Sequence, residues 1–446
     1  MRSRRRRHPN WPYRWTVLGL FGALLLYVAV QTIIGGFTFS RRPYGTDWGL
    51  ALVSSLLDAI VATWFIAVGA SIGSFLNVVA YRLPLGRKLG GNSKCPFCTT
   101  PIDGADNIPV LAWIRLRGRC RSCRLPISAQ YPLVEFAVAV IFFFVYCTEF
   151  LPSGGNLPGV TGNLIGAGGL ARISVSSDLV WRLGTYLFAL SGLIGAALIA
   201  LKGAVVPLRL YAWSLLPHLI SVLALPQAVI VRWRAAPPVG PIESRLDSFT
   251  TVLCGVVAGI ALARLLAPLL YKGFDRSLFA HDKETNGARQ LVGAMAVAGG
   301  IVGWQAIVPL GWVLLVSATT MSLLLGRFRS IARLGDLTSW VWLGLLLFRA
   351  IWKPLSGFTL LPDVIPEVGR YLIGALLLAA LAIGYRIVSE EEREEIELPI
   401  ESAADGISEQ NSVDEEEGDW DDDEVQPYVD RRSALPEKLN DEPTEQ

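Results

Sequence analysis

The sequence predicts an all-α polytopic membrane protein of about ten spans, with a small cysteine-rich module between the second and third spans. Of the 446 residues, 52% are hydrophobic and only 17% are charged. Apolar segments recur near the roughly 20 residues that a spanning helix needs. Four of the six cysteines form two C-x-x-C pairs in one polar segment between two such apolar runs. A membrane bundle with one folded polar insert explains all three observations.

The predicted elements follow from hydropathy. Ten apolar segments are candidate spans: 15–37, 53–80, 132–150, 183–201, 210–231, 249–270, 290–308, 309–326, 337–352 and 370–388. The first span follows MRSRRRRH almost directly, and such a basic segment is typical of a cytoplasmic N-terminus rather than of a nucleic-acid-binding patch. This run is too long for a secretory signal peptide and lacks a clean small-residue cleavage site, so we expect it to be retained.

Alternation of the spans predicts the side of each connection. The segment 82–131 returns to the cytoplasm, and its nine Lys and Arg residues favour that side. The Gly-rich segment 151–182 then faces the opposite side. The loop 232–245 is an exception, because it would lie outside yet carries three arginines. We therefore interpret the span before it, which contains Pro217 and His218, as broken and re-entrant, or as misplaced.

The C-terminal segment carries most of the negative charge. Residues 390–446 contain 23 Asp and Glu against four Lys and Arg, a net charge of −19, whereas the rest of the chain carries +21. So dense a run of like charge predicts a disordered acidic tail over 389–446. Two kinds of basic partner are available to it, the chain's own Arg-rich cysteine module and a basic peptide from another protein. The alternative is a solvated tail with no partner.

The four cysteines predict a metal site. Cys95, Cys98, Cys120 and Cys123 form two C-x2-C pairs separated by 21 residues, a spacing close to that of a zinc ribbon. Two such turns can complete a tetrahedral shell of four thiolates around one zinc ion. The alternatives are two disulfides or four unrelated thiols, and disulfides fit a cytoplasmic segment poorly. We therefore predict a cytoplasmic zinc-ribbon-like module with a closed, structural site. Cys147 and Cys254 are interpreted as core residues.

Sequence motifs around these cysteines resemble a known family. In chain order they are GSFLNVVAYRLP (73–84), CPFC (95–98), DNIPVLAW (106–113), RGRCRSC (117–123) and YPLVE (131–135). Their order and spacing are similar to the N-terminal module of the prepilin peptidases, or type IV leader peptidases, which are membrane aspartyl enzymes. The resemblance continues more weakly to about residue 350. Gln130 departs from it, because the family usually has Arg there.

The resemblance implies a domain organisation and a location. The predicted location is the bacterial inner (cytoplasmic) membrane, with both termini cytoplasmic. The predicted segments are 1–52, a basic N-terminus and extra span; 53–135, the family module with its zinc knuckle; 136–352, a peptidase-like membrane domain; 353–388, an additional span; and 389–446, the acidic tail.

The family's chemistry requires two membrane-embedded aspartates that share a proton, one activating water and the other acting as an acid. The resemblance places the first at Ala200, in IALKGAVVPL, with a second acid of the motif at Leu208. It places the other aspartate at Ala288, in ETNGARQL, with the family's lysine at Gln290. Alanine carries no titratable group, so no catalytic residue is predicted at either family position.

Other acids are weaker candidates for the missing role. Asp336 follows a glycine as the family's second aspartate does, but it is followed by Leu-Thr-Ser, and its simpler interpretation is an N-cap for the span from Leu337. Asp247 is interpreted as a similar cap. Asp282 and Glu284 are expected in a solvated loop. Asp58 is expected near the outer end of the second span, within reach of interfacial water.

Three functional hypotheses follow. The first is an active aspartyl endopeptidase that cleaves prepilin leaders and, by resemblance, methylates the new N-terminus with S-adenosylmethionine. The second, which the two alanines favour, is a pseudoenzyme that retains the zinc module and binds pilin-like precursors or secretion-machinery partners at the cytoplasmic face. The third is a transporter-like protein, which would require paired intramembrane charges. Membrane lipid is an expected partner in each case, and nucleic acid is not.

Overall fold

A computed structural model describes residues 11–39, 48–91, 93–158, 177–226, 229–230, 240–270, 283–325, 337–356, 374, 376 and 378–383. These residues are predominantly helical and contain no strand, which confirms the predicted all-α class. The helices are α1 Trp11–Phe39, α2 Trp48–Arg82, α3 Leu111–Leu116, α4 Gln130–Val145, α5 Ser177–Leu201, α6 Leu208–Ala224, α7 Pro241–Leu270, α8 Lys283–Val302, α9 Ile307–Leu325, α10 Val341–Ala350 and α11 Trp352–Ser356. Residues 374–383 include a further helical segment.

Six helices in the described part of the chain are long and apolar enough to cross a membrane. They are Tyr13–Phe37, Trp48–Arg82, Gln130–Phe150, Asp178–Leu201, Ile242–Leu270 and Trp304–Met321. Three shorter apolar helices accompany them: Leu208–Ala224, Gly287–Val302 and Leu337–Ala350. The chain is an integral membrane protein, as predicted. The count of ten spans stays a prediction, because the tenth, 370–388, is only partly described.

The bundle has two ends, which we name by the cysteine module. The module connects α2 to α4, so these helices meet it at the knuckle end. Arg209, at the start of α6, donates a hydrogen bond to the carbonyl of Leu83 at 3.5 Å, so α6 also begins there. Gly293 of α8 lies against Tyr211 of α6, and Gly300 lies against Leu215, so α8 runs parallel to α6 and also begins at the knuckle end. Thr338 donates to the carbonyl of Gly287 at 3.4 Å, which places the 3-10 turn Leu337–Trp340 beside the first turns of α8 at that end. The opposite end, where α4 finishes, is the far end.

Helices α7 and α8 approach each other more closely than side chains allow. A Cβ atom added to Gly255 would lie 2.2 Å from the carbonyl oxygen of Gly299, and one added to Gly259 would lie 2.1 Å from that of Met295. Small residues at such crossings let two backbones touch, and van der Waals contact then replaces the hydrophobic effect that is absent within a lipid bilayer. Neither glycine can be replaced without moving a helix.

Several boundaries differ from the sequence-based expectations. Helix α6 runs through Pro217 without interruption, so the predicted break at this proline is wrong. Helix α7 begins at Pro241, which places Asp247 in its second turn, buried, rather than at a cap. Helix α8 begins at Lys283, seven residues before the predicted span, and therefore includes Ala288. Asp58 lies ten residues into α2 and is buried, rather than close to interfacial water.

Candidate metal centre and family site

Two cysteine turns of the same geometry form the candidate metal centre. In the first turn, the Cys95 amide donates to the Thr100 carbonyl at 3.0 Å. In the second, the Cys120 amide donates to the Leu125 carbonyl at 2.9 Å. Each turn is closed by an isolated antiparallel bridge, Lys94 with Pro101 and Arg119 with Pro126. The repeated geometry aims two thiols of each turn toward the same point.

The four sulfur atoms fit a tetrahedral metal ion. All four lie within 4.8 Å of one another. The Cys95 and Cys123 sulfurs are 3.8 Å apart, and those of Cys98 and Cys120 are 3.9 Å apart. A tetrahedral zinc ion with metal–sulfur bonds of about 2.3 Å requires sulfur–sulfur distances of about 3.8 Å. All six cysteines are free thiols, so the predicted four-cysteine cluster is formed and disulfides are not.

At Cys98 and Cys120, local hydrogen bonds favour the thiolate form that a metal requires. The Thr100 hydroxyl lies 3.3 Å from the Cys98 sulfur and lowers the pKa of that thiol to about 6. The backbone amides of Cys123 and Ser122 lower the pKa of Cys120. Donors that point at sulfur stabilise its negative charge whether or not the ion is bound. The cluster can therefore hold a metal ion such as zinc.

The module is fixed to the bundle by a buried carboxylate at the start of α4. Glu135 accepts a hydrogen bond from the backbone amide of Val110 at 2.7 Å. Val110 has a φ angle of +60°, which few β-branched residues adopt, and this bond helps to hold it there. Asn77 on α2 donates to the carbonyl of Tyr131 at 3.3 Å. These contacts orient the metal turns relative to α2 and α4.

A second set of charges holds the module together. The Asp106 carboxylate pairs with Arg115 at 2.6 Å and also with Arg121. The hydrogen bond from Arg121 is the main reason that the pKa of Asp106 lies below its ordinary value. A carboxylate with a depressed pKa stabilises the folded state above its unfolded pKa, and this contribution is lost as the pH falls through the folded value. The pair therefore stabilises the module at neutral pH.

This module carries the similarity to known proteins. The family model described as "Bacterial Peptidase A24 N-terminal domain" matches residues 67–149. A prepilin leader peptidase/N-methyltransferase of Myxococcus xanthus is 29% identical over 250 residues, 56% of this chain and 58% of that protein. Residues 67–149 thus match a peptidase A24 N-terminal domain, and the chain is similar to prepilin leader peptidases. The resemblance seen in the sequence motifs is thereby confirmed.

Other prepilin peptidases match shorter parts of the chain. The prepilin leader peptidase/N-methyltransferase of Aeromonas hydrophila is 40% identical over 111 residues, 19% of this chain and 38% of that protein. A type 4 prepilin-like proteins leader peptide-processing enzyme of Escherichia coli O78:H11 is 42% identical over 93 residues, 17% of this chain and 35% of that protein. The chain thus spans less than two thirds of the length of these prepilin peptidases. No solved structure matches it.

The two family aspartate positions lie toward the knuckle end. Ala200 is in the last turn of α5 and is half-buried, and Ala288 is 2% exposed in α8. The buried polar side chains nearest to Ala288 in sequence and contact are uncharged, namely Gln290 and Thr338, which donates to the carbonyl of the neighbouring Gly287. That these positions correspond to the family's catalytic pair stays a prediction.

Of the candidate substitute acids, only Asp58 and Asp247 have described side chains, and neither lies near Ala288. Asp336 and Asp282 lie outside the described residues, and for Glu284 only the helical backbone is described. Asp247 is in the second turn of α7, near the far end, and Asp58 is in the half of α2 that begins there. Both are therefore separated along the bundle from Ala288.

A buried ion pair at the far end was not predicted from the sequence. Arg349 on α10 donates to Glu149 through Nε at 2.8 Å and through Nη2 at 2.5 Å, and the two side chains are 3% and 2% exposed. The guanidinium lies 4.0 Å from the ring centroid of Tyr186 on α5. Asn156 donates to the Arg349 carbonyl at 2.9 Å. We call these four residues the far-end cluster.

The signal for this pair is present in the sequence. Glu149 closes one predicted apolar span, 132–150, and Arg349 lies near the end of another, 337–352. Charged residues inside spans are costly and usually face a partner within the bundle. Opposite charges at the same end of two spans therefore indicate a pair.

Proposed function

We propose that this prepilin peptidase relative binds pilin-like precursors at the cytoplasmic face of the inner membrane without cleaving them. The observation that carries the proposal is the alanine at both positions where the family's aspartates are expected. Aspartyl chemistry requires two carboxylates that exchange protons with water and the leaving group. An alanine at either position removes one of these steps, and here both are removed.

The surrounding substitutions support this proposal. The motifs that supply the two aspartates also supply a further acid and a lysine, and Leu208 and Gln290 stand at those positions. A buried ammonium without an acid partner is strongly destabilising. Once the aspartates are lost, the family's lysine is therefore expected to be replaced by an uncharged side chain. Gln290 is 4% exposed, and its Oε1 atom has no hydrogen-bond partner in the described part of the chain.

The described ion pair does not favour the transporter hypothesis. Glu149 and Arg349 are the kind of paired intramembrane charge that such a protein would use. Their bidentate contact and the tyrosine ring over the guanidinium engage both groups with each other. A pair held in this way is suited to joining helices rather than to carrying a solute.

The test is co-expression with a cognate pilin-like precursor. We expect the precursor to co-purify with the chain and to keep its leader, and mass spectrometry reads leader removal and N-methylation separately. Cleavage by the purified protein would contradict the proposal. Loss of that cleavage in Asp336→Asn would then identify Asp336 as the substitute acid.

Restoring both acids is expected to restore cleavage. In Ala200→Asp/Ala288→Asp, leader removal should appear, whereas either single substitution should stay at background because the mechanism needs the pair. Loss of an essential acid–base group commonly lowers the rate by roughly 10²–10⁴-fold or more. The matched control is Ala200→Asn/Ala288→Asn, which adds side chains of similar volume that have no titratable carboxyl group. Equal cleavage in the two double variants would show that the acids are not the missing groups.

A further inference from the structure

We propose that the acidic C-terminal segment of this chain docks on a basic face of its own cysteine module. The basic face is the set of exposed cations on that module: Arg87, Lys88, Lys94, Arg117, Arg119, Arg121 and Arg124. The occupant is the segment 390–446. The proposal does not depend on whether the protein cleaves or binds precursors.

The charge of the module has one sign. Residues 82–131 contain nine Lys and Arg and two Asp, a net charge of +7. One of the two acids, Asp106, is already neutralised by Arg115 and Arg121 and is 5% exposed at its side chain. Four thiolates around a divalent ion would contribute −2 and leave about +5. Asp103 is then the one exposed acid of the module, and the segment's −19 is complementary.

Helix direction brings the acidic segment to the correct side. Helix α9 starts beside the far-end turn that follows α8, and it contacts the Leu337–Trp340 turn at the knuckle end. Gly374 lies beside Val308 and Trp312 of α9, and Leu378 lies beside Gly311. The last described helical segment therefore runs parallel to α9, toward the knuckle end. Ile383 ends this described segment toward the knuckle end, and the acidic segment begins seven residues later in the sequence.

Because the acidic segment and the cysteine module belong to one chain, even weak contacts between them can be populated. A random coil with as many residues as 390–446 would have a root-mean-square reach of roughly 40 Å, several helix diameters. Linkage of this kind gives an effective concentration on the order of millimolar. Each exposed charge pair is weak and is screened beyond about 8 Å at physiological salt. The attraction between the segment and the module should therefore be the sum of many weak charge pairs, and it should decrease steeply as the ionic strength rises.

Anionic lipid is the competing occupant of the basic face. Each Lys or Arg near an anionic membrane surface is attracted to it. The acidic segment is itself repelled by that surface, which favours its placement on the module. The module and the acidic segment belong to the same chain, so the segment is available whatever the lipid composition. We therefore propose the segment, and not lipid, as the occupant of the basic face.

Zero-length carbodiimide coupling tests the contact in the full chain. The reagent joins an amine to a carboxylate that touches it, and Lys88 and Lys94 supply amines on the basic face. Lys353, beside the far end, is the internal control. In zwitterionic nanodiscs, we expect mass spectrometry to find peptides of 390–424 coupled to Lys88 and Lys94 and not to Lys353. The yield should be independent of protein concentration and should fall several-fold between about 50 and 500 mM salt.

Charge reversal supplies the matched comparison. Arg87→Glu/Arg119→Glu should lower the coupling several-fold, whereas Arg245→Glu, an exposed arginine of α7 at the far end, should leave it unchanged. An unaltered metal content shows that Arg87→Glu/Arg119→Glu is folded. If this variant does not fold, the salt dependence of coupling in the wild type tests the proposal instead. Absence of coupling, coupling that ignores salt, or loss of coupling in nanodiscs of anionic lipid would each overturn the proposal.

Discussion

Cys120→Ser is expected to remove most of the folded protein from the membrane fraction. The cysteine module has few buried apolar residues of its own, so we expect its folding to depend on an ion held by the four cysteines. Apparent binding free energies of structural zinc are on the order of 10–16 kcal/mol, comparable to the whole stability of a small domain. The loss of one thiolate from a four-thiolate shell should thus unfold the module rather than weaken a reaction.

The measurement combines metal analysis with protease sensitivity. The purified wild type should contain about one zinc per chain, and 93–126 should resist protease until a chelator is added. Cys254→Ser, a cysteine within α7 and away from the cluster, is the matched control and should keep both properties. A metal-free wild type with Cys95, Cys98, Cys120 and Cys123 paired as disulfides would remove the claim.

Glu149→Gln is expected to have the second-largest effect. The substitution leaves the Arg349 guanidinium buried without its counter-charge, and breaking a buried pair from one side typically costs about 3–5 kcal/mol. The cation–π contact with Tyr186 is present in both proteins and therefore does not compensate for the lost pair. We expect a clear decrease in the denaturation temperature of the detergent-solubilised protein, followed by tryptophan fluorescence.

The double variant separates pairing from packing. In Glu149→Gln/Arg349→Met, no buried charge is left alone, and replacement of a whole buried pair by uncharged side chains is often nearly neutral. We expect the double variant to be more stable than Glu149→Gln. If the two single losses instead add in the double variant, Glu149 and Arg349 do not stabilise each other, and the pair is incidental.

The metal centre was accessible from the sequence because all its ligands are local. Cys95 and Cys98 share one turn, as do Cys120 and Cys123, so residue spacing alone determines which sulfur atoms meet. The helical class was equally accessible, since a bilayer leaves a spanning backbone no other way to satisfy its hydrogen bonds, closed barrels apart.

Features that depend on tertiary contact were less accessible. Hydropathy ends a span where charge begins, so it placed the start of α8 at residue 290 and treated 283–289 as a loop. The helix continues through that polar stretch because its backbone bonds do not require apolar side chains. Asp247 was mistaken for a cap for the same reason, as α7 extends back to Pro241. The contact of Glu149 with Arg349 joins distant helices and has no local signature.

The sequence separation of that pair also bears on how the protein enters the membrane. Glu149 and Arg349 are 200 positions apart. At roughly 5–20 residues per second, synthesis of the second residue follows that of the first by about 10–40 s. During this interval α4 and Glu149 have been synthesised, but the Glu149 carboxylate has no counter-charge. An unpaired charge within lipid is energetically costly. Until the last third of the chain arrives, Glu149 must therefore be protonated, stay hydrated at the bilayer surface or be sheltered by the insertion machinery.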